Sequence, residues 1–144
     1  MSIDVTVSRS IGRAPRDVFA YLADPARDPE WIGGLIEVHP PAGPLAVGTQ
    51  VERVAGFMGR RIEYVLEVVA LEPGRRIAMR SIRAPFPMRV TYAVAPEDPS
   101  GSTVSLRVEG GPGGIARLIH PLMSRRVRGN LTGDLARLAA RLER

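Results

Sequence analysis

Two tyrosines, one arginine and one tryptophan are the residues whose types and spacing best support chemistry in this chain. Arg60 to Leu71 alternates as a strand, with Ile62, Tyr64, Leu66 and Val68 on one face. Met88, Val90, Tyr92 and Val94 alternate in the same way. Tyr64 and Tyr92 therefore fall on apolar faces. They are either phenols whose polar tips line a pocket or plain core, and Trp31 offers the same choice. Among the arginines, Arg53 shares parity with Val51, Ala55 and Phe57 and is expected to point inward. Arg89 alternates opposite Met88, Val90 and Tyr92, so it is expected on the solvent face, and Arg80 is expected there too. Glu63 and Glu67 lie opposite Tyr64 and Leu66 and should face water, so no general acid/base pair is legible.

Other chemistries find no support. There are 2 histidines, His39 and His120, and no cysteine, and neither histidine sits in a metal-binding spacing. No GxSxG nucleophile turn and no GxGxxG after a strand is present. Gly110 to Gly114 (GGPGG) precedes a helical stretch, and helix N-termini attract anions, but Pro112 marks the segment as a hinge. No metal and no cofactor is expected. Met58, Met79, Met88 and Met123 are adaptable side chains, suited to a plastic ligand wall or to ordinary packing.

The elements that must position these residues read as follows. Ser2 to Ile11 alternates as a half-buried strand. Pro15 suits the first turn of a short helix carrying Val18, Phe19 and Leu22, which Asp24-Pro25 ends. Ala26 to Ile32 adds a second short turn, and Leu35 to Val38 is a strand stopped by Pro40-Pro41. Thr49 to Phe57, Arg60 to Leu71, Arg76 to Arg83, Met88 onward and Val104 to Val108 form a meander. Its breaks are Met58-Gly59, Glu72 to Arg75, Ala84 to Pro87 and Pro96 to Gly101. Gly114 to Arg144 is the one long helical signal, with Leu131, Leu135, Leu138 and Leu142 at steps of three and four. Sequential strands with short turns favour antiparallel pairing. The expectation is a two-layer α+β domain over 1–144, a curved sheet of about seven strands wrapped around the long helix, with a cavity between them. His120-Pro121 interrupts the helix. Either Ile115 to His120 and the Pro85–Pro87 loop gate the cavity, or Pro121 simply starts the main helix.

Composition sets the outer bounds. The chain has 144 residues, 44% of them hydrophobic, enough for one core. No apolar run approaches the roughly 18 residues of a membrane span, and the N-terminus lacks a signal-peptide core, so a cytoplasmic location is expected. The formal charge is +5, and all 20 basic residues are arginine. These are scattered, and only 5% of residues are aromatic, which argues against nucleic acid as a partner. Arg117, Arg125, Arg126, Arg128, Arg137 and Arg141 make weak contact with an anionic membrane the one electrostatic partner to consider. No oligomeric interface is legible.

Several stretches together resemble the START-like superfamily (SRPBCC), in particular its polyketide cyclase/dehydrase-like branch. They are Ile11-Gly12-Arg13-Ala14-Pro15 with Val18-Phe19, Leu22-Ala23-Asp24-Pro25, Glu30-Trp31, Gly48-Thr49, Leu71-Glu72-Pro73 and the leucine-rich C-terminal helix. The resemblance spans nearly the whole chain and implies the helix-grip fold with a deep apolar cavity. It implies binding of a small apolar ligand such as a lipid, isoprenoid or polyketide, with a polyketide cyclase or dehydrase as the alternative. In that alternative Tyr64 or Tyr92 would orient a poly-ketone and an arginine would stabilise the enolate oxygen. The candidate ligand-binding residues are Trp31, Arg53, Phe57, Tyr64, Met79, Phe86, Met88, Tyr92, Ile119, His120 and Met123.

Overall fold

The computed structural model describes residues 3–57, 59–84, 87–110 and 120–143, with the backbone alone described for Phe57 and residues 120–123. Strand β1 (Ile3–Ile11) buries Val5, Val7 and Ile11 and exposes the residues between. Helix α1 (Pro15–Leu22) carries proline in its first turn and buries Val18, Tyr21 and Leu22. A 3-10 turn (Pro25–Arg27) follows, capped by the Asp24 side chain, which accepts from the Ala26 N–H at 3.2 Å. Helix α2 (Asp28–Trp31) is one turn long and leads into β2 (Leu35–His39). The meander is β3 (Gln50–Phe57), β4 (Arg60–Glu72), β5 (Arg76–Arg83), β6 (Met88–Glu97) and β7 (Gly101–Gly110). The C-terminal helix α3 is described from His120 to Leu142.

The seven strands form one antiparallel sheet in the order β1-β7-β6-β5-β4-β3-β2. Each strand of the meander pairs with the next because its turn is short, and β1 closes the far edge on β7. Strand β4 is the longest, at 13 residues, and its register shifts twice against β5. Such bulges bend a strand and increase its twist, which curls this sheet around α3. The helix packs on β1 and α2 and buries Leu135, Leu138, Ala139 and Leu142, with Val127 and Leu131 partly buried against the core. Its last turn is clamped by the β1–α1 turn. Arg13 donates to the Leu142 carbonyl at 2.6 Å, and Glu143 accepts from the Gly12 N–H at 2.8 Å. An otherwise orphaned C-terminal carbonyl is thereby satisfied.

The expected α+β helix-grip architecture is thus present, with one difference of detail. The break expected from Pro96 to Gly101 shrinks, because Pro96 and Glu97 remain in β6. Beyond Val94 that strand no longer has β5 beside it, and a proline is tolerated on such an edge. The first turns of the expected long helix, residues 114–119, lie outside the described residues. So do residues 85 and 86 of the expected gate.

Candidate functional site

Between the concave face of the sheet and α3 lies a cavity of about 230 Å³ that is partly open to solvent. Ala55 of β3, Ile62 of β4, Met88 and Val90 of β6, and Leu106 and Val108 of β7 supply its apolar wall on the sheet side. Val127 and Leu131 close it from α3, and Trp31 and Ile32 from the α2 end. Polar side chains reach the wall at five places: Arg53, Tyr64, Tyr92, Asn130 and Asp134.

Arg53 is the centre of the polar group. Its strand parity turns it inward, and it is only 5% exposed. It donates to Asp28 Oδ2 at 2.7 Å and to Tyr92 Oη at 3.2 Å. Asp28, on the single turn of α2, is 1% exposed. Burial holds its carboxyl above the usual range, against the pull of Arg53. Burial also works against the Arg53 charge, but Tyr92 and Asp28 outweigh it and the guanidinium stays well above its ordinary value. Burial pushes the Tyr92 phenol up to about 12, so it is a neutral hydroxyl at physiological pH. Its ring meets Trp31 edge-on, with centroids 5.5 Å apart. Three buried polar atoms here, Asp28 Oδ1, Arg53 Nε and Trp31 Nε1, have no hydrogen-bond partner among the described residues.

The helix side contributes Asp134, 7% exposed. Its Oδ1 accepts from the Gly33 N–H at 2.9 Å and from Arg137, whose Nε also donates to the Trp31 carbonyl at 3.1 Å. Burial raises the Asp134 carboxyl despite these donors. The loop after α2 is thereby tied to α3 beside the cavity.

Of the residues singled out from the sequence, Trp31, Arg53, Tyr64, Met88 and Tyr92 meet on this wall. Met79 does not. At 2% exposed it is enclosed in the core, opposite Val68 and Val90 of the flanking strands. Phe86 and Ile119 lie outside the described residues, as do the side chains of Phe57, His120 and Met123. Arg80 and Arg89 are exposed as their parity requires, and Arg80 pairs with Glu67. Sequence reasoning missed both buried acids. Among the described residues no cluster of histidines and acids is suited to a metal ion, and no helix is long and apolar enough to cross a membrane.

A helix gripped by a curled sheet, with a cavity between them, defines a START-like architecture. The chain belongs to the family described as polyketide cyclase/dehydrase and lipid transport, whose model matches residues 2–143. Solved structures with the same fold include the protein TTHA0849 of Thermus thermophilus, 20% identical over 96% of each chain with a TM-score of 0.83. The Zhui aromatase/cyclase of Streptomyces sp. R1128 is 17% identical, covering 100% of this chain and 95% of its own, with a TM-score of 0.83. A START superfamily protein of Mycobacterium smegmatis is 13% identical over 97% of each chain, with a TM-score of 0.79. At such identities the likeness is one of fold. No curated protein matches the sequence.

Proposed function

We propose that this protein binds one small hydrophobic molecule, of lipid, isoprenoid or polyketide type, in the cavity between α3 and the sheet. The observation that carries this reading is an apolar cavity of about 230 Å³ with a few polar side chains gathered on its wall. Ligand pockets have that composition, and their usual size, roughly 300–1,000 Å³, makes this a site for a compact ligand. Trp31, the only tryptophan, lines it and serves as a reporter. The test is titration with the neutral fluorophore N-phenyl-1-naphthylamine. The expected result is saturable one-to-one binding with energy transfer from Trp31, lost when Leu131→Trp fills the cavity. Absence of saturable binding, together with a native mass equal to the denatured mass, would overturn the reading.

A second reading is favoured by one specific observation. A buried guanidinium and two phenols share one wall, an arrangement able to hold an enolate oxygen. In a cyclase or dehydrase of polyketide type, Tyr64 and Tyr92 would donate to that oxygen, and Arg53, itself paired with Asp28, would hold the Tyr92 hydroxyl in place. The combined Arg53→Met, Tyr64→Phe and Tyr92→Phe variant should then lose turnover of a poly-ketone; undiminished activity sinks those roles.

A further inference from the structure

We infer that the cavity selects an uncharged ligand bearing hydroxyl and carbonyl groups and rejects a carboxylate. The inference rests on the binding reading above and names the chemical class that the site would take.

The charges on the wall are already paired. Arg53 is its one cation among the described residues, and Asp28 holds it at 2.7 Å, with the two side chains 5% and 2% exposed. A ligand carboxylate reaching Arg53 would set two anions around one buried cation. One negative charge would remain without compensation beside a pair that is itself almost fully buried, which is strongly unfavourable. The helix side adds another acid, Asp134, whose partner Arg137 is 48% exposed and not part of the wall. An anion therefore meets no spare positive charge there.

Neutral hydrogen-bonding capacity is in surplus. Tyr92 Oη accepts from Arg53 and keeps its own proton to donate. The Tyr64 hydroxyl, on the same wall, makes no hydrogen bond among the described residues. Both bonds to Asp134 fall on Oδ1, which leaves Oδ2 as an acceptor. The wall thus offers two phenolic donors on the sheet and, on the helix, one carboxylate acceptor beside the neutral Asn130 amide. A ligand carbonyl answers the first and a ligand hydroxyl the second.

The test titrates the full chain with three probes of one shape: naphthalene, a naphthol and the matching naphthoate. It uses calorimetry at neutral pH, where the naphthol is neutral and the naphthoate ionised. The naphthol is expected to bind at least about tenfold tighter than the naphthoate. Asp28→Asn, which keeps the shape and releases the Arg53 charge, should narrow that gap through a gain of naphthoate affinity. If that variant fails to fold, Asp134→Asn removes the other negative charge and should also favour the naphthoate. Naphthoate binding as tightly as naphthol to the native protein, with naphthalene also bound, overturns the charge selection and leaves the binding reading standing. Failure of all three probes overturns the binding reading and this inference with it.

Discussion

A buried ion pair adds little net stability, yet breaking it is strongly destabilising. Taking both charges out of water offsets most of their attraction, whereas removing one partner strands the other. Asp28 and Arg53 fit that description, since both are almost fully enclosed. Asp28→Ala should therefore destabilise the fold by about 3–5 kcal/mol, while the double change Asp28→Leu with Arg53→Met should cost clearly less. Urea denaturation of both variants checks this, and equal losses would show that the pair itself stabilises. Asp134 supports a prediction in pH. Its carboxyl is raised by burial above the ordinary 3.8, against the donors Gly33 and Arg137. The folded state thus holds that proton more tightly than the unfolded chain, so its contribution to stability falls as pH rises from the unfolded value through the folded one. Asp134→Asn removes this dependence. The Tm of the variant minus that of the native protein should become more favourable as pH rises through that window. Asp4, Glu37 and Glu97, whose carboxyls are lowered, titrate in both proteins and cancel in the difference. At this scale legibility followed the range of the signal. Arg53 needed only the parity of its own strand. Asp28 was unreadable, because a four-residue helix has no period and its partner is 25 residues away. Asp134 was readable in principle: it stands three residues after Leu131 and four before Leu138, a lone acid on the apolar stripe.

Elements are held in place by close approaches at two glycines, and the two should respond differently to substitution. A Cβ on Gly101 would lie 2.9 Å from the Ile11 carbonyl oxygen, where β7 begins beside the end of β1. That oxygen belongs to backbone fixed in the sheet and has nowhere to go. A Cβ on Gly33 would lie 2.2 Å from an Arg137 nitrogen, the far end of a flexible side chain. Arg137 can swing away, giving up its bonds to Asp134 and the Trp31 carbonyl. Gly101→Ala is expected to destabilise by roughly 1–3 kcal/mol and Gly33→Ala by less than about 1 kcal/mol, within the ordinary span of single substitutions. Thermal unfolding of both variants orders them; a reversed order would mean that the Arg137 link carries more of the α2–α3 attachment than its exposure suggests. The order of strands was legible because each turn of the meander joins neighbours. The reach of β6 was not, since Pro96 reads as a break until one knows that β5 has already ended beside it.

At the scale of the molecule, the curl of the sheet is what makes room for the cavity. Alternation along each strand told which side chains face inward, but the sequence carries no direct statement of how strongly a sheet bends. The two shifts in the β4–β5 register, which set that bend here, arise from packing across strands. A cavity also leaves its walls without contact partners, so filling it has two separable consequences. Leu131→Trp places an indole into the space beside Val127 and Asp134, and the unliganded protein should melt no lower than the native one. A ligand that binds only the folded state adds RT ln(1 + [L]/Kd), about 2.7 kcal/mol at a hundred times Kd. For a chain of this length that corresponds to a rise in Tm of roughly 5–12 °C. The native protein should show this shift with N-phenyl-1-naphthylamine, and Leu131→Trp should lose most of it. An equal shift in both would place the binding site elsewhere on the molecule, whereas a shift confined to the native protein ties the stabilisation to the space between α3 and the sheet.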